Sequence, residues 1–384
     1  MNGEVEIREE LDAGRQEAAR RYARSQRALS FVELGVMALL LGLLVVTGLS
    51  EGVRDWADGF GGPRPLTVAL YGIALGGGFF LLTLPLDFYS GYLLPKRYGL
   101  VTQSVGGWAL DTVKGLILTG VVGIVGLEAL YLLLDLWPEW WWVAMAGLMW
   151  LFSVGVTWLA PLLLMPLFYK FRSLDDPELV ARLTRLAERA GARVQGVYVM
   201  DMSSRTTAAN AMLAGLGGTR RIILGDTLLA NYTHDEIETV LAHELAHHVH
   251  NDLLLGLAAQ AVIVTGGMWA ASVLLAWGVG SFGFRGVGDV AGLPLFVAAM
   301  GIFGLVTMPV VNFLSRSRER AADLYALRTT GNAGAFRSVM LKLAGQNLSD
   351  AEPPAWVRVL FYSHPPIGER VRMGEGVGNA KRET

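Results

Sequence analysis

Long apolar runs separated by short polar stretches dominate the chain. Six of them, at 31–49, 66–86, 110–134, 142–168, 253–279 and 290–314, are long enough to cross a hydrocarbon layer as helices. The third carries Asp111, Lys114 and Glu128, and the fourth is interrupted by Pro161 and Pro166, so these two are the least uniform. Between the fourth and fifth runs the pattern changes. Asp176-Pro177 reads as a helix cap with proline in the first turn, and Leu179, Leu183 and Leu186 recur at helical spacing up to Gly191. Residues 197–200 and 221–224 read as short strands, and 206–213 as a weaker strand before the turn at Gly215 to Gly218. Thr233, followed three residues later by Glu236, starts another helix as a capping box. Beyond the sixth run, 315–328 and 334–344 read as helices, Pro353-Pro354 breaks the chain, and a last helix begins near Ile367.

Composition agrees with this picture. A chain of 384 residues with 53% hydrophobic and only 17% charged residues is too apolar for a water-soluble globule and fits a polytopic α-helical membrane protein in a lipid bilayer. The strongly charged stretch ahead of the first run, and the lack of a small-residue cleavage site after it, make that run an anchor rather than a signal peptide. Basic residues alternate between the two sides. Arg20, Arg21, Arg24 and Arg27 precede the first span, Lys96 and Arg97 follow the second, Lys170 and Arg172 the fourth, and Arg316, Arg318 and Arg320 the sixth. By the positive-inside rule both termini and the polar insert face the cytoplasm, in a cell (inner) membrane or, alternatively, the endoplasmic reticulum membrane. The expected organisation is a charged arm at 1–30, four spans within 31–169, a cytoplasmic segment at 170–252, two spans within 253–314 and C-terminal helices at 315–384. The arginine run of the arm suits either anionic headgroups or solvent. A net charge of −2 gives no pointer to nucleic acid, and no such partner is expected. The absence of cysteine removes disulfides, thiolate metal ligands and lipidation of the protein itself.

The chemistry sits in the polar insert. His243-Glu244-Leu245-Ala246-His247 has the H-E-x-x-H pattern of zinc hydrolases. Positions i and i+4 share a helix face, so the two imidazoles can hold one Zn2+ per chain while Glu244 stands beside the open coordination position. Such an ion lowers the pKa of a bound water to about 7, and an adjacent carboxylate can take and return its proton. Of the six histidines, His234, His248 and His250 also lie in or beside this helix and read as solvated or interfacial. A third protein ligand is needed, and spacing leaves Asp289, Glu319, Asp323, Glu352 and Glu369 open. Glu319 has one local argument, since with Asp323 it forms an i, i+4 acidic pair on a helix emerging at the same membrane face as the motif.

Residues 315–323, Ser-Arg-Ser-Arg-Glu-Arg-Ala-Ala-Asp, resemble the S-R-x-x-E-x-x-A-D signature of the CaaX prenyl protease family of integral-membrane zinc metallopeptidases. Asn210-Ala211-Met212 with 222–228, Ser363-His364-Pro365-Pro366 with Glu369-Arg370, and the stretch from Tyr98 to Lys114 are similar to further family blocks, so the resemblance runs from about residue 85 to 372. It implies a barrel of membrane helices around a chamber, capped by a small α+β zincin-like domain. It also implies Glu319 as third ligand and Asp323 as the group that fixes a ligating imidazole. His364 and Arg370 would stabilise the oxyanion, and Asn210 and Ala211 would lie on an edge strand that pairs with substrate backbone. Six spans in place of the eukaryotic seven fit a prokaryotic member. The expected activity is peptide hydrolysis, with a prenylated CaaX tail or a membrane-associated or misfolded protein as substrate. A heat-shock-type membrane zinc protease shares the motifs but has two spans before its zinc domain, where four precede it here. A membrane scaffold or transporter holding a structural zinc is the alternative of another class.

Overall fold

In a computed structural model, which describes residues 12–215 and 217–380, the six apolar runs are six helices of membrane-spanning length. Helix α1 (Ala13–Val46) is followed by a short α2 (Leu49–Asp58), then α3 (Arg64–Phe88), α4 (Val105–Leu136) and α5 (Trp141–Leu159). α3 and α5 each pass through one wider turn, Tyr89–Leu93 and Ala160–Leu164, before ending near the polar half. α3 has Pro85 just ahead of its turn, and Pro161 falls within that of α5; proline breaks the i to i−4 ladder locally. The polar insert contributes β1 (Phe171–Ser173), α6 (Pro177–Arg189), β2 (Val197–Met200), β3 (Ala211–Ala214), β4 (Arg221–Gly225), α7 (Asp226–Asn231) and α8 (His234–Val249). The chain then re-enters the apolar layer as α9 (Asp252–Phe282) and α10 (Leu293–Thr330), and finishes with α11 (Ala333–Gln346), α12 (Ala355–Phe361) and α13 (Ile367–Ala380).

The long helices pack in a closed order, α1–α3–α4–α5–α9–α10 and back to α1. In their most apolar stretches at most 39% of residues are buried within the protein, so the outward surface has only lipid to shield it from water. Between α1, α3, α4 and α10 lies an apolar cavity of about 400 Å³ walled by Met37, Leu44, Leu75, Phe79 and Leu127. Several polar side chains at membrane depth are partnered. Gln260 Nε2 of α9 donates to Ser153 Oγ of α5 at 2.9 Å, and Thr83 Oγ1 donates to Asp87 at 3.0 Å. Asp111 accepts from Arg205 at 2.9 Å and Gln103 at 2.6 Å as well as lying 3.5 Å from Lys114.

The insert folds on a four-stranded sheet of order β1-β2-β4-β3, with β2 and β4 parallel and the outer pairs antiparallel. One face, with Val197, Ala211, Ile222 and Leu224, packs on Leu179 and Leu183 of α6 and Ile237, Leu241 and Leu245 of α8. The other, with Tyr198, Met200, Met212 and Ile223, turns toward Met165 and Tyr169 at the end of the fourth span. β3 is an edge strand.

Three expectations change. The segment 206–213 becomes a strand only from Ala211, because Ala208 N–H and Thr227 Oγ1 are bonded to the Thr206 hydroxyl and the Ala208 carbonyl rather than to a ladder. Residues 315–328 form no separate helix but continue the sixth span, since nothing between Asn312 and Arg320 interrupts the ladder. The 1–30 arm, outside the described residues up to position 11, is from Ala13 onward the first part of the first span's own helix. It is fastened to the C-terminal segment, with Arg15 Nε donating to the Gly345 carbonyl at 2.8 Å and Ala19 fully buried.

Candidate metal centre

Helix α8 is fixed at its start. Thr233 N–H donates to Glu236 at 2.7 Å, Glu236 N–H returns a bond to the Thr233 hydroxyl at 3.4 Å, and Glu236 also accepts from Ser338 at 2.5 Å and Lys342 at 2.7 Å of α11. Its apolar stripe is buried in the core, leaving His243, Glu244 and His247 toward α10 and the cavity below. α8 packs along α10, and the fully buried residues include Ala242 and Ala246 on one helix and Ala322 and Ala326 on the other. Small side chains at i, i+4 let helix axes approach closely, bringing a carboxylate on α10 to the two imidazoles.

That carboxylate is Glu319. Ligand atoms of His243, His247 and Glu319 all lie within 4.8 Å of one another, with His243 Nε2 3.2 Å from Glu319 Oε2 and His247 Nε2 3.6 Å from Oε1. The backs of both imidazoles are held. His243 Nδ1 is 2.9 Å from Asp323, and His247 Nδ1 is 2.8 Å from Asp252. Nδ1–H donation to these carboxylates fixes the tautomer in which both Nε2 atoms offer lone pairs toward Glu319. Glu319 Oε2 is buried and makes no hydrogen bond. Two imidazole nitrogens and a carboxylate directed at one point are the donor set for a divalent cation of borderline softness. Burial works against a charged His243, but its bond to Asp323 and the facing Glu319 carboxylate outweigh that and lift its pKa to about 9, so the surroundings favour positive charge here, whether a proton or a cation.

The other acidic candidates are committed elsewhere. Asp289 pairs with Arg54 at 2.6 Å at the start of α10, roughly 40 Å along the helix from Glu319 at 1.5 Å per residue. Glu352 bonds Arg372 at 2.7 Å, and Glu369 bonds Arg320 at 2.5 Å.

A cavity of about 220 Å³ opens beside the donor set, lined by Asn210, Ala211, His243, Glu244, His364 and Arg370, with Phe336, Val339 and Met340 as an apolar wall. Glu244 makes no hydrogen bond among the described residues. Burial pushes its carboxyl above the usual range, Glu319 adds to the rise, and the neighbouring imidazoles and Arg370 oppose it. His364 Nδ1 lies 2.9 Å from Ser363 Oγ and its Nε2 3.4 Å from Glu319, while burial lowers its pKa and so favours the neutral ring. Arg370 lines the same cavity and is anchored from behind. Its Nε and Nη2 fork onto Asp323 at 2.8 and 2.5 Å, and Nη2 lies 3.5 Å from His243 Nδ1, behind the imidazole. Asn210 is exposed and precedes β3, and its carbonyl accepts from Gly225; Ala211 opens the strand. Asn347 clamps the preceding residue, its side chain accepting from Ala209 N–H at 3.0 Å and donating to the Ala209 carbonyl at 3.4 Å.

Asp252 was not among the sequence candidates. It sits five residues past His247, where Asn251 adopts a left-handed conformation (φ 54°) and turns the chain so that the next residue reaches back to the imidazole. Arg318, next to Glu319, donates to it from Nε at 2.5 Å. An Asn-Asp pair just past the motif helix was the available signal.

A membrane-helix barrel capped by a sheet-bearing domain that joins two histidines of one helix to a glutamate of another defines a membrane metalloprotease class. The family signature described as peptidase family M48 matches residues 173–375, more than half of the chain, and the one described as the CAAX prenyl protease N-terminal region, five membrane helices, matches residues 4–170. The chain belongs to peptidase family M48. In that N-terminal region it has four candidate spans and the short α2. It is 29% identical over 366 residues to an uncharacterized metalloprotease, YhfN, of Bacillus subtilis (strain 168), covering 94% of this chain and 86% of that protein. It is 29% identical over 321 residues to CAAX prenyl protease 1 of Saccharomyces cerevisiae (79% and 70% covered). The crystal structure of S. mikatae Ste24p shares the fold, with a TM-score of 0.82 at 24% identity, covering 94% of this chain and 89% of that one.

Proposed function

We propose that this membrane metalloprotease is a zinc endopeptidase that cleaves peptide segments at the cytoplasmic face of the membrane, with His243, His247 and Glu319 as metal ligands and Glu244 as general base. The observation that carries the reading is the convergence of those three donor sets within 4.8 Å beside a cavity that also holds the unpaired Glu244 carboxyl and the edge strand β3. Bound there, zinc supplies Lewis acidity to the scissile carbonyl and lowers the pKa of water to about 7.

The chain's own groups divide the remaining work. An extended substrate adds to the free edge of β3, entering at Asn210 and Ala211, which fixes its backbone without fixing its side chains. Glu244 takes a proton from the attacking water and returns it to the leaving amine as the C–N bond breaks, and burial, which raises its pKa, favours its acceptance of that proton. His364, neutral with Nδ1 on Ser363, directs Nε2 into the cavity to donate to the carbonyl oxygen as it gains charge. The guanidinium of Arg370 is bonded to Asp323, so its part is to hold His243 through that carboxylate and to place positive charge behind it.

Substrates are protein tails held at the bilayer, of the CaaX type processed by the relatives named CAAX prenyl protease 1, or membrane-protein segments. Arg316, Arg318 and Arg320 at the site end of α10, with Lys96, Arg97, Lys170 and Arg172, support a cytoplasmic orientation in a cell membrane. The test is Glu244→Gln beside wild type with a metal assay. The variant should keep one zinc per chain and lose about a hundredfold or more in kcat, whereas equal turnover would remove Glu244 from the reaction. Paired peptides with and without a prenyl group then separate the two substrate readings by kcat/KM.

A further inference from the structure

A second cavity, of about 810 Å³, lies on the face of the sheet turned away from the metal-site core, where the fourth span leaves the apolar layer. Its lower wall is Pro161, Leu162 and Pro166, at the end of that span. Above them stand Lys170, Arg172 and Arg221. No carboxylate lines this cavity, and among the described residues neither Lys170 nor Arg172 has an ion-pair or hydrogen-bond partner for its side chain. Among the described residues the Arg221 side chain has only the Gln195 amide oxygen at 3.2 Å and the Tyr198 ring, whose centroid is 5.3 Å away. Among the described residues, the hydroxyls of Tyr169 and Tyr198, both on the cavity wall, also have no hydrogen-bond partner. Around the metal site, by contrast, Arg318, Arg320 and Arg370 each meet a carboxylate. What sets this cavity apart is that its three cations are gathered around one concavity and stand directly above an apolar floor.

We propose that this cavity binds the phosphate headgroup of an anionic phospholipid, with its glycerol and first acyl carbons against Pro161, Leu162 and Pro166. A phosphate would receive charge-assisted hydrogen bonds from Arg172, Arg221 and Lys170 and neutral ones from the two phenols. Basic pockets at the cytoplasmic boundary attract anionic lipid by about 1 kcal/mol per cation, so three together amount to roughly a hundredfold in affinity. The alternation of apolar floor and cationic rim favours a lipid over a free anion, which would gain nothing from the floor. The occupied cavity would tie the sheet, and with it β3, to the membrane at a fixed height.

The full-length protein is purified in detergent, exchanged into vesicles of phosphatidylcholine with or without phosphatidylglycerol, re-extracted and delipidated, and its retained lipid is measured by mass spectrometry. Wild type should retain phosphatidylglycerol, and the triple variant Lys170→Gln/Arg172→Gln/Arg221→Gln should bind it roughly a hundredfold more weakly. Arg185→Gln/Arg189→Gln, which removes exposed cations on α6, serves as the control and should match wild type. Thermal unfolding shows whether the triple variant is folded; if it is not, Arg172→Gln alone is compared, with about a five- to tenfold loss expected. Equal retention by wild type and folded variant overturns the proposal. So does inorganic phosphate binding as tightly as the lipid, which would make the site one for a free anion. A rise in KM in the variant confined to peptides with a free C-terminal carboxylate, in lipid-free detergent, would assign the cations to substrate and overturn it as well.

Discussion

Each imidazole of the proposed metal site is backed by a carboxylate that is itself clamped by an arginine: His243 by Asp323 and Arg370, His247 by Asp252 and Arg318. The arrangement makes the imidazoles directional before any cation arrives, since a carboxylate held by a guanidinium cannot swing away from Nδ1. Asp252→Asn should therefore weaken zinc affinity about ten- to a hundredfold with the fold intact, because an amide can present its NH2 to Nδ1 and stabilise the wrong tautomer. Chelator competition measures this directly, and unchanged affinity would reduce Asp252 to a membrane-entry residue. Glu236 gives a second prediction. Burial disfavours its charged form, but the bonds from Lys342, Ser338 and the Thr233 N–H outweigh that and hold its pKa below 4.5. A carboxyl depressed by folding contributes stability that is full above its unfolded pKa, about 4.3, and is lost as pH falls through the lower folded value. Glu236→Gln should lower stability at neutral pH by about 1 to 2 kcal/mol. The gap between variant and wild type should close as pH drops below about 4, read from thermal unfolding in detergent.

Among elements, the spans and the motif helix were legible because each depends on a signal contained in one stretch of chain. An apolar run long enough to cross the bilayer needs no partner to be recognised, and the Thr233 to Glu236 capping box announces α8 by itself. Elements that depend on something elsewhere were less legible. β1 has three residues and no alternation to read, and exists because β2 offers it an edge; α12 has seven residues between Pro354 and Tyr362. Asp252 escaped because its partner lies behind a left-handed turn, and the fate of Arg370 could not be read because its distance from Asp323 is set by the packing of α13 on α10. The end of the barrel away from the metal site is closed in the same nonlocal way. Arg54 of α2 is buried against Asp289 at 2.6 Å, and Ser50 bonds both Tyr71 and the Ala291 carbonyl at 2.6 Å. Asp289→Ala would leave the Arg54 guanidinium only its bond to the more exposed Asp55 and would also unpair the Arg285 and Ala291 N–H groups. It should cost about 3 kcal/mol or more by the measure of buried pairs broken on one side, seen as a fall in detergent unfolding midpoint with zinc content unchanged.

At the scale of the whole molecule, the metal site is shared between parts that composition would assign to different halves. His243 and His247 come from the polar insert, while Glu319 and Asp323 are carried on the same 38-residue helix that crosses the apolar layer as the sixth span and continues through Pro309 without ending. A rigid helix transmits its rotational phase along its length, so the direction in which Glu319 points is set by how α10 packs in the barrel as much as by its contact with α8. One alanine inserted after Leu314 adds about 100° and 1.5 Å to everything beyond it. That carries Glu319 off the shared face while leaving the apolar run through the bilayer, the capping box and both histidines untouched. The insertion variant should still integrate into membranes and retain the helical content of wild type, yet lose zinc as thoroughly as Glu319→Ala, as shown by metal analysis of the purified full-length protein. A separate carboxylate-bearing helix beyond the span could rotate back into place and keep its zinc. Retention of metal by the insertion variant would mean that the ladder between Asn312 and Glu319 yields in solution and that the barrel does not set the geometry of the site.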